Sequence, residues 1–345
     1  MIKRILYTLL IMFPVVASAQ INTDRVMAIG RNALYFEDYV LSIQYFNQVI
    51  NAKPYLSDPY FYRGLAKINL DDFQGAESDC SEAIERNPFV VSAYQVRGLA
   101  RIQQNNFAGA IEDYTKALEF DPENIGVWHN MALCRIRQED YKGAKNDLDK
   151  LIAISPRYTK AYLMRGEVDL KQKDTLAAEK DFGKAIEIDR YDADTWASRA
   201  ILRLQQQRYK DAEADFDHAI RLSTRNSGVY INRALARYHQ NNLRGAMSDY
   251  DIALDIDPNN FIGHYNRGLL RAQVGDDNRA IQDFNFVIEM EPDNMMAIFN
   301  RGLLLDQTGD YKGAIKDYST VINEYPNFLL GYQLSLIHIS EPTRH

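Results

Sequence analysis

Two kinds of charged residue recur at intervals of 34 positions along most of this chain. Within each interval an arginine precedes an aspartate by sixteen positions. Such side chains could form a basic stripe that binds anionic ligands, or ion pairs inside the fold. Because the two columns occur in matching numbers, ion pairs are favoured. The columns consist of Arg63, Arg97, Arg165, Arg199, Arg233, Arg267 and Arg301, and of Asp79, Asp113, Asp147, Asp181, Asp215, Asp249, Asp283 and Asp317.

Two intervals depart from this pattern. The first has Ile29 and Tyr45 in place of the pair, and the fourth has Met131 opposite Asp147. A second basic column follows the arginines by four positions, which is one helical turn. We expect this column to be paired as well. Its members are Lys67, Arg101, Arg135, Arg203, Arg237 and Arg271.

Uncharged side chains form two further rows with the same period. An asparagine amide offers a donor and an acceptor together, which matches a peptide group. A row of asparagines could therefore hold an extended peptide, with a row of leucines as an apolar floor, or it could only satisfy neighbouring helices. Both interpretations stay open at this point. The candidate binding residues are Asn130, Asn232, Asn266 and Asn300, with Leu235, Leu269 and Leu303 three positions after the last three.

No catalytic or metal-binding motif is recognisable. The six histidines lack close metal-ligand spacing, and there is no Gly-x-Ser-x-Gly, phosphate-binding loop or dinucleotide fingerprint. Cys80 and Cys134 are expected to be separate, small core residues without a disulfide. The sequence therefore predicts a protein that is not an enzyme and that uses no cofactor or metal.

Composition narrows the function classes further. The 345 residues include 40 Lys and Arg against 47 Asp and Glu, a net charge of −7. An acidic chain is poorly suited to nucleic-acid backbones, so nucleic-acid binding is not expected. Outside the N-terminal region no stretch approaches 18 apolar residues, so the mature chain is predicted to lack a permanent membrane span.

The N-terminal residues have the features of an export signal. Lys3 and Arg4 precede an uncharged, mostly apolar run at positions 5–16, and Ala17-Ser18-Ala19 gives a small-x-small cleavage pattern. Residues 1–19 are predicted to be a bacterial signal peptide that is cut after Ala19. The mature protein is expected to be periplasmic or secreted.

The 34-residue period reflects paired helices. Small and bulky residues recur within each interval at spacings of three, four and seven, which is one face of a helix. Each interval holds two such runs, separated at pairs such as Asp71-Asp72, Asn105-Asn106 and Gly309-Asp310. A proline ends the second run, except where Arg190 and Thr224 stand in its place. The prolines are Pro54, Pro88, Pro122, Pro156, Pro258, Pro292 and Pro326.

These columns resemble the tetratricopeptide repeat family, whose pattern of bulky, small, Ala, aromatic and Pro positions they match. The resemblance covers nine tandem repeats over residues 23–328. It implies an all-α fold, a right-handed superhelical solenoid of antiparallel helix hairpins, with the first helices lining a concave groove. We number each repeat from place 1, with the proline at place 32. The carboxylate clamp known in some family members is not matched here.

The expected function is a non-enzymatic scaffold that holds a peptide or partner protein in that groove. One alternative is a regulatory or substrate-presenting part of a larger enzyme, with a catalytic domain beyond the present C-terminus. Another is a subunit of an outer-membrane assembly or secretion complex. The partner is expected to be a protein or an extended peptide.

The C-terminal residues break the pattern. Residues 329–333 match the start of a tenth repeat, with Tyr332 at the bulky place. Residues 334–345 begin LSLIHISEPTR, which resembles the translation of a transposase adapter used in sequencing libraries. We therefore expect residues 334–345 to be non-native and the natural protein to continue with its tenth repeat.

Overall fold

The computed structural model describes residues 22–324, and all regular secondary structure in that range is α-helical. The predicted all-α fold of antiparallel hairpins is confirmed. The helices form nine consecutive hairpins: α1 Thr23–Tyr35 with α2 Tyr39–Ala52, α3 Asp58–Ile68 with α4 Phe73–Arg86, α5 Val91–Gln103 with α6 Phe107–Phe120, α7 Ile125–Arg137 with α8 Tyr141–Ile154, α9 Thr159–Lys171 with α10 Thr175–Ile188, α11 Ala193–Gln205 with α12 Tyr209–Leu222, α13 Ser227–His239 with α14 Leu243–Ile256, α15 Phe261–Gln273 with α16 Asp277–Met290, and α17 Met295–Gln307 with α18 Tyr311–Glu324.

The hairpins group into two compact units, which divide after Pro156. Unit 1 contains α1–α8 and unit 2 contains α9–α18. Within each unit the second helix of a hairpin packs on its own first helix and on the first helix of the next hairpin. Continuity of the array across Pro156 stays a prediction. The signal peptide at 1–19, the tenth repeat at 329–333 and the tail at 334–345 lie outside the described residues.

Each hairpin turns at one residue with left-handed backbone conformation. In the second hairpin this residue is Asp71 (φ 59°), and the side chain of Asp72 then accepts a hydrogen bond of 2.9 Å from the Gly75 N–H. An aspartate or asparagine in this position satisfies a donor that the helix start leaves free. Gly275 and Gly309 hold the same turn position with φ of 80° and 88°. The predicted breaks between the two runs are therefore confirmed.

The core of each hairpin pairs a small residue with a large one. A Cβ added to Gly98 would lie 2.7 Å from the ring of Tyr114, which is fully buried. Close approach of the two helices explains why the column is small. Cys80 and Cys134 are both buried and unpaired, as predicted.

Candidate functional site

The Arg–Asp columns form ion pairs within the hairpins. In hairpin seven, Arg233 Nε lies 3.0 Å from Asp249 Oδ2, and Arg233 Nη2 lies 2.6 Å from Oδ1. Asp249 is 1% exposed, and Arg237 Nη1 reaches its Oδ2 at 2.9 Å. The ion-pair interpretation is confirmed for the whole first column. The equivalent pairs are Arg63–Asp79, Arg97–Asp113, Arg165–Asp181, Arg199–Asp215, Arg267–Asp283 and Arg301–Asp317.

The same arginines connect neighbouring hairpins. Arg233 Nη1 donates to Asp217 Oδ1 at 2.7 Å, and Asp217 belongs to the preceding hairpin. Arg301 Nη1 reaches Asn285 in the same way at 2.8 Å. The members of the second basic column also contact the buried aspartates. The two basic columns thus fix the stacking of helices and do not form a stripe for anionic ligands.

Asp147 is the exception, since Met131 stands where the arginine would be. Arg135 Nε lies 2.8 Å from Asp147 Oδ2, but the two groups are not aligned for a hydrogen bond. Burial raises the pKa of Asp147 to about 6, and Arg135 offsets this only in part. By contrast, burial alone would raise the pKa of Asp283, yet hydrogen bonds and charges from its basic neighbours lower it.

The candidate asparagines lie on the first helices of unit 2. Asn232, Asn266 and Asn300 occupy the same place on α13, α15 and α17, and all three are half-buried. Asn300 Nδ2 donates to the Tyr265 hydroxyl at 3.1 Å, so neighbouring first helices meet on this surface. Within residues 22–324, Asn232 and Asn266 make no side-chain hydrogen bond. We call these three residues the amide row.

The three asparagines of the amide row therefore differ in whether they bond to a neighbouring helix or remain available to a peptide. Asn300 satisfies a neighbouring helix with its amide nitrogen, and this bond leaves its Oδ1 as an acceptor. The other two amides have both donor and acceptor available to a ligand.

Exposed apolar side chains accompany the amide row. Leu269 is 39% exposed, and Leu235 and Leu303 are half-buried one turn after their asparagines. Sequence reasoning missed Ile262 and Met296, which are 51% and 59% exposed near the starts of α15 and α17. The available signal was an apolar residue at place 2, where repeats five and six have Lys160 and Asp194.

This part of the surface carries no aspartate, glutamate, lysine or arginine at places 2, 5, 6, 9 and 13 of α13, α15 and α17. We call it the first-helix face. The preceding first helices of unit 2 differ, since they place Lys160, Glu167 and Asp194 at equivalent positions. Recognition on the first-helix face must therefore rest on amide hydrogen bonds and apolar contact.

The fourth candidate asparagine is separate from this row. Asn130 lies on α7 in unit 1, beside the hydroxyl of Tyr114, although their geometry falls short of a hydrogen bond. The same place on the two preceding first helices holds Tyr62 and Val96. Unit 1 thus has no amide row.

Two negative findings apply to residues 22–324. They contain no group of three or more His, Cys, Asp and Glu side chains that could hold a metal ion. None of their helices combines the length and the apolar character needed to cross a bilayer.

Family models match most of the described chain. A TPR repeat model matches residues 98–134, and two tetratricopeptide repeat models match 125–158 with 159–192 and 198–261 with 265–327. The chain belongs to the tetratricopeptide repeat family. Comparison with curated protein sequences gives no match.

Solved tetratricopeptide repeat structures share the fold. A protein from Parabacteroides merdae is 21% identical, with a TM-score of 0.56 over 72% of this chain and 98% of its own. The C-terminal part of a Cytophaga hutchinsonii repeat protein is 17% identical, with a TM-score of 0.56 over 69% and 97%. A chain of the APC/C hetero-tetramer Cut9–Hcn1 is 13% identical, with a TM-score of 0.56 over 84% and 57%. At these identities the similarity establishes the fold alone.

Proposed function

We propose that this tetratricopeptide repeat protein is a non-enzymatic scaffold that holds an extended peptide segment along the first-helix face of α13, α15 and α17. One observation carries the proposal. Asn232 and Asn266 occupy equivalent places on neighbouring first helices and have no side-chain hydrogen bond within residues 22–324. Polar groups that are half-buried and unpaired in this way are favourable partners for a ligand's own polar groups.

The spacing of the amide row suits an extended backbone. The first helices α15 and α17 contact each other directly, and packed helices lie about 8–10 Å apart. An extended strand advances about 3.3 Å per residue, so successive asparagines would meet peptide groups about three residues apart. Each asparagine can accept from a peptide N–H and donate to a peptide carbonyl, and neither bond depends on the peptide's side chains.

The absence of charge on the first-helix face defines the class of segment. Recognition of a terminal carboxylate or a phosphate usually depends on lysine or arginine, and neither is present at these places. The exposed side chains of Ile262, Leu269 and Met296 favour an uncharged segment with aliphatic side chains. Because such a segment orders itself on binding, we expect a modest affinity, roughly micromolar.

We also propose that binding takes place in the periplasm or outside the cell. The support is the sequence of residues 1–19, which has the pattern predicted for an export signal. The measurement is N-terminal sequencing of the protein recovered from cell fractions. Cleavage after Ala19 in the exported fraction is expected, and an intact N-terminus in the cytoplasm would contradict the proposal.

The binding test compares partners captured from a periplasmic extract. The variant changes Asn232, Asn266 and Asn300 to alanine, and circular dichroism checks that it remains folded. A matched control changes Asn259, Asn278 and Asn323, which are exposed away from the first-helix face. The amide-row variant should lose partners that the control retains. If the folded variant retains every partner, the amide row is not the binding site.

A further inference from the structure

The first hairpin differs from the others on the side that later hairpins turn toward their predecessor. In hairpin three this side is polar. Arg101 Nη1 donates to the Gly109 carbonyl and to Asp113 Oδ2, each at 3.0 Å. Arg97 pairs with the same Asp113, and its Nη1 also reaches Ser81 Oγ of the preceding hairpin at 3.1 Å.

Hairpin one replaces every member of this polar set with an apolar or aromatic residue. The equivalent positions hold Ile29, Ala33, Leu41 and Tyr45. One further position also has a polar residue in hairpin three and an aromatic residue in hairpin one. Gln104 of hairpin three donates to Glu77 of its predecessor at 2.8 Å, and the equivalent residue of hairpin one is Phe36. We call the side formed by Ile29, Ala33, Phe36, Leu41 and Tyr45 the outer face.

Three residues of the outer face are exposed within the described chain, whereas Tyr45 is half-buried and Ala33 is buried. Ile29 is 36%, Leu41 37% and Phe36 77% exposed. Terminal hairpins of repeat arrays usually present a polar outer surface, which keeps the array soluble. A contiguous exposed apolar patch marks an interaction site in soluble proteins. The loss of the whole polar set therefore indicates that another surface covers this side.

The charges around the outer face indicate what covers it. Arg25 lies near the start of α1, at the place where Gly263 of hairpin eight faces the preceding hairpin. Glu37 follows the end of α1, and both residues are exposed. Thirteen residues of helix separate the two ends by about 20 Å. Two copies of α1 placed antiparallel would bring each Arg25 to the Glu37 of the other copy.

We propose that the outer face binds the outer face of a second copy of this chain. The two α1 helices run antiparallel about a two-fold axis that passes between Ile29 and Ala33, midway between Arg25 and Glu37. In such a symmetric interface each patch meets itself, so an uncharged centre with opposite charges at its two ends is self-complementary. The proposal is independent of peptide binding, because the outer face and the first-helix face have no residue in common.

Sedimentation of the purified protein tests this pairing. The wild type should form dimers. A variant that introduces the residues of hairpin three at four of these five positions, with Ile29→Arg, Phe36→Gln, Leu41→Gly and Tyr45→Asp, should be monomeric. The control variant Leu176→Gln changes an apolar side chain that is 80% exposed elsewhere and should stay dimeric. A monomeric wild type would overturn the proposal, whether another protein or residues 1–21 cover the outer face instead.

Cysteine cross-linking tests the position of the axis without altering the whole patch. Ile29→Cys should form a covalent dimer with itself through a short bis-maleimide linker, since the two copies of residue 29 lie about 6 Å apart along the paired helices, whereas Leu176→Cys should not. The natural thiols compete little, because burial raises the pKa of Cys80 to about 12 and of Cys134 to about 11. Equal cross-linking at the two positions would contradict pairing through α1.

A charge reversal tests the antiparallel orientation. Arg25→Glu should weaken the dimer about five-fold, since two exposed ion pairs are lost, and the double variant Arg25→Glu with Glu37→Arg should restore it. Dimerisation that responds to neither change would refute the antiparallel arrangement.

Discussion

At the scale of single residues, the buried aspartates determine which substitutions this protein tolerates. Asp249 is 1% exposed and receives three hydrogen bonds from Arg233 and Arg237. A carboxylate removed from water in this way is stable only while its cationic partners remain. Removing the arginine alone, which leaves the buried carboxylate without its partner, is therefore more harmful than removing the arginine and the aspartate together.

We expect Arg233→Met to lower the free energy of unfolding by about 1–4 kcal/mol. The cost should fall toward the lower end, because Arg237 still contacts Asp249. The double variant with Asp249→Ala should be less destabilised than the sum of the two single changes. Denaturant unfolding of all four proteins measures this coupling. Strictly additive effects would show that the pair does not interact energetically.

Near Asp147 we predict a substitution that raises the free energy of unfolding, the opposite of the effect expected for Arg233→Met. Its folded pKa of about 6 lies above the ordinary value, so the folded state binds the proton more tightly than the unfolded state does. This contribution to stability is present at low pH and is lost as the pH rises from about 4 to about 6. Met131→Arg should supply the missing partner and raise the free energy of unfolding by about 1–3 kcal/mol at pH 7.5.

The pH dependence separates this explanation from a general packing effect. The advantage of Met131→Arg should shrink below about pH 4, where Asp147 is protonated in both states. The control Met131→Leu keeps the carboxylate without its arginine and should follow the pH profile of the wild type. Parallel profiles for the arginine variant and the wild type would contradict the role assigned to Asp147.

The sequence predicts some of these residue contacts and not others. The Arg–Asp pairs follow from matched columns at a constant spacing, because one helical hairpin repeats the same geometry. The bond between Asn300 and Tyr265 could not be predicted in this way. It depends on how closely neighbouring first helices approach, and only hairpins eight and nine combine an asparagine with a tyrosine at the facing places.

At the scale of helices and turns, the register is constant even where the proline is absent. Hairpins five and six end their second helices at Ile188 and Leu222, which keep the 34-residue spacing. Sequence reasoning predicted the turns correctly because Asp71 and its equivalents occupy a position that favours asparagine, aspartate and glycine. It could not predict the left-handed Lys173 (φ 64°) and Gln207 (φ 61°), whose residue types do not favour this conformation.

Hydrogen exchange should detect the missing prolines. Arg190 and Thr224 leave the chain more conformational freedom in the unfolded state, which costs about 0.4–1 kcal/mol per position. Amides in residues 186–228 should therefore exchange faster than those of hairpins two to four. Arg190→Pro and Thr224→Pro should slow exchange locally, since neither backbone N–H donates a hydrogen bond within the described residues. Equal protection of both regions in the wild type would contradict this prediction.

At the scale of the whole molecule, the 34-residue period does not predict how the hairpins group into units. Pro156 keeps the 34-residue spacing, yet the described hairpins divide into two compact units at that point. The period records only the geometry inside each hairpin and its stacking on the next. Within the described residues, three consecutive first helices without charge at the first-helix-face places occur only in unit 2, although all nine hairpins share one pattern of core residues.

Site-specific photo-cross-linking in living cells tests peptide binding most directly. A photoreactive amino acid replaces Leu269, which is 39% exposed one turn after Asn266, and in the control it replaces Leu176, which is 80% exposed on α10. We predict covalent partner adducts at Leu269 that disappear when Asn232, Asn266 and Asn300 are changed to alanine, and no such adducts at Leu176. Adducts that form equally at both positions, or that persist at Leu269 without the three asparagines, would contradict binding on the first-helix face.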